Sequence, residues 1–353
     1  MIYENLLLHN AAEAERRPDG VHLYRYPKAL SDSMGLPGKM YGRYVSRTTA
    51  GCEIRFVTAG DRAVVSLSSA DHDGYVQVYR GDFRYYLDGV YSFPVRAGQV
   101  THLFLNRTPA FEETDASLKH KPGGFSPEVW RVLSDVNFTM TLVDFEGYGY
   151  PVRPPTPEEM PPQTMLCYGT SLTYGACASA HSVSYVQLLG NLLGVNILNK
   201  AMGGSCMNEA VVADYFASDD LAYDALFLEN AINMSDQAEV FHRNTAYLLK
   251  RVTQSRPQLP IYLVTCYPNL STARPGRAYP VEKRTAAEYD RLQIDESMRA
   301  FAGQYPQCIL LEGADMLPDF TGLTTDLVHL SDYGHVLVAT NLAKAIRHTR
   351  STW

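Results

Sequence analysis

At 353 residues the chain is too long for one ordinary domain and comfortable for two, each able to bury its own core. With 46% hydrophobic and 20% charged residues it reads as globular, and a formal net charge of -7 gives no electrostatic case for nucleic acid or an anionic membrane. No apolar run approaches the roughly 20 residues of a membrane span, and the N-terminus lacks the basic start of a secretory signal. The expectation is a soluble, cytoplasmic protein whose substrate is neutral or weakly polar, with oligomeric state left open, a homo-oligomer included.

From residue 41 to residue 150 the pattern is β. Runs at 52–57, 63–67, 75–79, 100–105 and 136–142 alternate in part or cleanly and are separated by Gly, Asp and Asn turns. Many short strands without helices between them predict a β-sandwich, jelly-roll-like, over residues 1–150. Twelve of the 24 tyrosines lie before Pro151. Exposed tyrosines could stack on sugar rings, but β-rich cores also favour tyrosine. Pro151, Pro154, Pro155, Pro157, Pro161 and Pro162 then crowd residues 151–162, which read as a semi-rigid linker.

Beyond the linker, apolar runs at 165–167, 195–198, 225–228, 261–265 and 308–311 alternate with helical segments near 184–193, 207–216, 237–254, 282–301 and 333–347. That rhythm predicts an α/β domain over residues 163–353 with a mostly parallel five-stranded sheet. Functional groups in such a sheet follow the carboxyl ends of the strands.

After the first strand, Gly169 breaks the run before Thr170 and Ser171 and a helix start. A serine there is lifted out of the sheet beside unpaired N–H groups that can stabilise an oxyanion, although either hydroxyl could simply cap the helix. After the second strand, residues 199–205 hold the paired Gly203 and Gly204, which permit a tight turn with bare backbone N–H. After the third, Asn230 and Asn233 offer side-chain amides that donate without titrating. Near the C-terminus an Asp-x-x-His spacing occurs twice, at Asp326/His329 and Asp332/His335. Ser331 caps the last helix on this reading, placing Asp332 in its first turn and His335 in its body, whereas Asp326 and His329 lie on a displayed loop. His181 and His242 read as structural. The six cysteines show no metal-ligand spacing and read mostly as buried thiols, with a nucleophile at Cys206 as an alternative.

Taken in order, these stations resemble the four signature blocks of the SGNH, or GDSL-type, hydrolase superfamily. Gly169-Thr170-Ser171-Leu172 resembles Gly-Asp-Ser-Leu with Thr170 in place of Asp, and residues 199–204 resemble the block whose last glycine gives an oxyanion-hole N–H. Ala231-Ile232-Asn233 resembles Gly-x-Asn with Ala231 for Gly, and Asp326-Leu327-Val328-His329 resembles Asp-x-x-His. The resemblance covers residues 164–347, while residues 81–86 resemble the β-sandwich found before some SGNH carbohydrate esterases. It implies a flavodoxin-like catalytic domain, a triad of Ser171, His329 and Asp326, and an oxyanion hole of the Ser171 and Gly204 N–H groups with the Asn233 amide. Asn230 is the rival donor. No cofactor or metal is implied. Some of these two-domain esterases lack the acid; here Asp326 is present. The implied activity is hydrolysis of short acyl, notably acetyl, esters of a small molecule or oligosaccharide. An acyltransferase using the same serine, or a non-catalytic carbohydrate-binding protein on the same scaffold, are the alternatives.

Overall fold

The computed structural model describes residues 1–35, 41–270 and 281–349. The last four residues assigned to the second domain lie outside them. Two antiparallel sheets form the front half. One orders Ile2–Tyr3, Leu6–His9, Glu53–Thr58, Val129–Ser134, Gly74–Arg80 and Phe83–Arg84, and the other orders Thr101–Asn106, Arg62–Ser69, Met140–Glu146, Gly20–Tyr24 and Glu13–Arg17. Ile54, Phe56, Val78, Trp130 and Val132 of the first sheet pack with Val65, Leu67, Leu103 and Met140 of the second to close a sandwich.

Three differences from the expected strands have local causes. Pairing begins at Ile2, not after residue 40, because the N-terminal residues extend both sheets; Tyr41–Arg47, expected to open the β region, is a helix. The strand expected at 136–142 starts at Met140, since Asn137 takes a left-handed φ of 64° and turns the chain. Val129–Ser134 does not alternate because both faces are buried. Its Arg131 lies 2.8 Å from Glu53, which also accepts from Arg55 at 2.8 Å, and Arg55 donates to Asn196 of the second half at 2.8 Å. Burial would raise the Glu53 carboxyl, but the two guanidinium groups outweigh it and hold it well below its usual range.

In the second half the strands Thr164–Gly169, Asn196–Asn199, Ala225–Glu229, Ile261–Val264 and Cys308–Leu311 form one parallel sheet. Their order, second-first-third-fourth-fifth, is the flavodoxin-like one. Helices Ala210–Ala217, Ala238–Ser255 and Val281–Gln304 contribute to the core on one face, and Tyr185–Leu193 and Asp332–Thr349 to that on the other. Each strand carries a buried apolar run because both faces are covered. The loops at the carboxyl ends of the first, second and third strands thereby converge on one edge. Among the described residues no helix is long and apolar enough to cross a membrane.

Candidate active site

Ser171 opens a four-residue helix, Ser171–Tyr174, directly after the first parallel strand. Thr170 is its N-cap, and the side chain accepts from Leu172 N at 3.4 Å. The capping role thus falls to Thr170 and frees the Ser171 hydroxyl. Gly169 is required by close approach: a Cβ there would stand 2.2 Å from Thr173 Oγ1 and 2.6 Å from the Glu229 carbonyl oxygen.

The Ser171 hydroxyl meets His329 Nε2 at 2.8 Å, and the other ring nitrogen, Nδ1, bonds Asp326 Oδ2. Asp326 is positioned by its own loop, since Oδ1 accepts from the backbone N–H of Val328 and of His329, both at 2.9 Å, and from Thr324 Oγ1 at 2.8 Å. Burial would raise its pKa, but these donors and the imidazole outweigh burial and hold the carboxyl well below its usual range. A hydroxyl, an imidazole and an ionised carboxylate in series can move a proton from oxygen to nitrogen while the carboxylate fixes the tautomer.

The second loop lies against this arrangement. A Cβ on Gly203 would be 3.7 Å from Ser171 Cα, and Gly204 next to it is exposed with φ of 67°, a turn that glycine permits. Asn233 sits on the short turn Ile232–Met234, half-buried, and its Oδ1 accepts from Cys206 N at 3.1 Å. With its oxygen so engaged, the side chain has its amide nitrogen to offer. Asn230 is fully buried, and neither amide atom finds a partner among the described residues. The backbone of Cys206 therefore serves the site, while burial pushes its thiol well up and removes it as a nucleophile.

Both remaining histidines near the site are packed inside. His335 accepts from Tyr185 N at 3.2 Å and stacks on that ring, and burial lowers its pKa to about 4. His181 is fully buried and lowered to about 3 for the same reason. His242 bonds Ser297 Oγ at 3.1 Å and stacks on Phe301. Asp332, in the first turn of the last helix, accepts from Ser179 N at 2.8 Å.

Sequence reasoning missed the residues that hold the second loop. Arg25, fully buried, donates to the carbonyls of Asn199 at 3.0 Å, Ala201 at 2.8 Å, Thr48 at 3.0 Å and Val45 at 2.7 Å. The Tyr26 hydroxyl bonds the Lys200 carbonyl, and Lys200 Nζ bonds the carbonyls of Asn10, at 3.1 Å, and Arg25. Tyr174 of the helix that Ser171 opens shares a 2.8 Å bond with Thr48 and accepts from Asn137 N at 3.0 Å. No local pattern marks these partners, which are far apart in sequence. Tyr41, also from the front half, brings its ring within 3.4 Å of a Cβ on Gly204.

Cys177, the exposed cysteine of the six, brings its sulfur, an Asp326 oxygen and a His329 nitrogen within 4.8 Å of one another. A metal there would compete with the hydrogen bonds from His329 to Ser171 and Asp326.

Residues 163–347 match the GDSL-like Lipase/Acylhydrolase family. The chain belongs to that family. GDSL-like membership places it in the SGNH superfamily and makes it an esterase or acyl-transferring enzyme. Among solved structures, it is similar to the salicylyl-acyltransferase SsfX3 from a tetracycline biosynthetic pathway, with a TM-score of 0.75, 14% identity, and 98% of this chain and 95% of that one covered. A family two carbohydrate esterase from Cellvibrio japonicus gives a TM-score of 0.59 at 12% identity, covering 98% and 95%. An acetyl xylan esterase from the rumen bacterium Butyrivibrio proteoclasticus gives 0.57 at 11%, covering 100% and 97%. At these identities the likeness is one of fold, and it extends over both halves of the chain. No curated protein matches the chain.

Proposed function

We propose that this GDSL-like enzyme is a serine esterase that hydrolyses short acyl esters, acetyl foremost, carried on a carbohydrate. The observation that carries the reading is the Ser171 Oγ to His329 Nε2 contact of 2.8 Å with Asp326 on the far ring nitrogen. Ser171 Oγ attacks the ester carbonyl as His329 takes its proton, and the resulting imidazolium gives that proton to the departing alcohol. Water then attacks the acyl-enzyme, His329 takes a proton from it, and Ser171 recovers its hydrogen as the acid leaves. Asp326 holds the tautomer throughout. The tetrahedral oxyanion is received by the backbone N–H groups of Ser171 and Gly204 and by the Asn233 amide. The carbohydrate part of the reading is supported by the fold shared over both halves with the carbohydrate esterases.

Hydrolysis of p-nitrophenyl esters of increasing acyl length by the wild type and by a folded Ser171→Ala variant tests the chemistry. Turnover highest on acetate and lost in the variant is the expected result; equal turnover in both proteins removes Ser171 as the nucleophile. Acetylated sugars and xylo-oligosaccharides turned over no better than the aryl acetate would remove the carbohydrate assignment. Similarity to the salicylyl-acyltransferase favours a second reading, in which an alcohol rather than water resolves the same acyl-enzyme. Product analysis with an added sugar acceptor separates the two.

A further inference from the structure

Beneath the nucleophile turn lies a carboxylate that belongs to none of the four blocks. Glu229 ends the third parallel strand and is 3% exposed. Its oxygens accept from Thr170 N at 3.1 Å, from Thr170 Oγ1 at 2.8 Å and from Thr173 Oγ1 at 2.9 Å. These donors bracket Ser171, one residue before it and two after, and the Glu229 carbonyl takes a further bond from Thr170 N at 3.1 Å. Thr173 Oγ1 continues the chain to Tyr185 Oη at 2.5 Å. The turn itself carries no acidic side chain, because Thr170 stands where the GDSL pattern has Asp.

We propose that Glu229 is the positioning residue of the nucleophile turn, and that its ionised form is the one that keeps Ser171 in line with His329. The proposal rests on the serine-esterase reading above. An ionised carboxylate only accepts, which matches three donors aimed at it; a protonated one brings a donor of its own into that cluster and gives up acceptor capacity. Loosening the turn displaces Oγ relative to Nε2, and a misplacement of about 1 Å can lower the rate by about a hundredfold. Burial raises the Glu229 pKa to about 7, against the Thr170 and Thr173 hydrogen bonds that lower it. Among the described residues, the titratable groups that feel its charge are Tyr185 from the helix Tyr185–Leu193, Tyr267 and Cys266 from the loop after the fourth strand, and Cys206 from the second loop. No cation is among them.

The experiment measures kcat/KM on p-nitrophenyl acetate, the rate of Ser171 labelling by a fluorophosphonate, and Tm, all from pH 5 to 9. The proteins are the wild type, Glu229→Gln and Thr170→Val. The wild type should lose activity on acidification in a proton-linked step that belongs to Glu229. Glu229→Gln should lose that step, with kcat lowered by about ten- to a hundredfold and KM within about twofold. Thr170→Val keeps the carboxylate but removes a donor to it, so its acid limb should move to higher pH. Between about 4.5 and 7 the folded state holds a proton on this carboxyl that the unfolded chain does not, so the stability contributed by this group falls with pH there, while buried His181 and His335 act in the opposite sense. The Tm of the wild type minus that of Glu229→Gln should therefore fall from pH 5 to 7. A glutamate that merely fills space would lower activity equally at every pH and leave the Thr170→Val limb in place, and either result overturns the proposal. If Glu229→Gln does not fold, the Thr170→Val limb decides. Absence of labelling in folded wild type would count against the esterase reading instead, and the Tm comparison would still test whether Glu229 titrates.

Discussion

The two loops that flank Ser171 are held in opposite ways. The Asp326–His329 loop is built by its own residues, with the carboxylate bonded to Thr324, Val328 and His329 within three positions of itself. The Asn199–Ser205 loop is held from outside, by Arg25, Tyr26 and Asn10 of the front half, partners 174 to 189 residues away. A self-supporting loop can fail chemically while the protein stays folded. A loop held by another domain fails together with the interface that holds it.

The contrast has measurable edges. The largest effect lies on the serine between the loops: Ser171→Ala should lower kcat by about a millionfold, read as p-nitrophenyl acetate hydrolysis, with Tm unchanged. On the self-supporting side, Asp326→Asn should lower kcat by about ten thousandfold and leave urea unfolding close to that of the wild type. Asn233→Ala should lower kcat by about a hundred- to a thousandfold with KM little changed. On the externally held side the order reverses. Arg25→Met removes a buried donor from four carbonyls, of which Asn199 keeps Asn10 and Val45 keeps Thr48, so it should cost about 3 kcal/mol of stability, seen by urea unfolding, and lower kcat as a consequence. A stable, active Arg25→Met protein would erase the comparison.

A further effect concerns pH. Burial lowers the Lys200 pKa to about 7 from an ordinary value of 10.5. Above about 7 the unfolded chain therefore holds a proton that the folded one does not, and stability contributed by this group rises with pH from about 7 to 10.5 and is flat below. The difference in unfolding free energy between wild type and Lys200→Met should change across that window. A constant difference would show that Lys200 stays charged in the interface.

The same contrast explains what could be read from sequence. The parallel sheet was legible because each strand is an apolar run with both faces covered, and residues 308–311 were placed to the residue. Asp326 and His329 were legible because their contact is three residues long. Val129–Ser134 was not, since Trp130 faces the sandwich core while Arg131 is buried against Glu53, and a strand with two buried faces of different chemistry shows no alternation. Arg25 gave no signal either. An arginine between Tyr24 and Tyr26 at the end of a strand reads as a solvated charge until a second domain is laid over it. Glu229 gave no signal in the sequence, because its partners lie on the turn after the first parallel strand, 56 to 59 residues away.

The burial of Arg25 bears on how such a chain could be recombined. A front sandwich that merely recruited substrate could be exchanged at the proline-rich connector for another. Here the exchanged part would take with it the donors that shape the loop beside Ser171, so a working chimera must inherit Asn10, Arg25 and Tyr26, or their equivalents, together with the hydrolase half. The unit of inheritance is the pair of halves, even though Ser171, His329 and Asp326 all come from one of them.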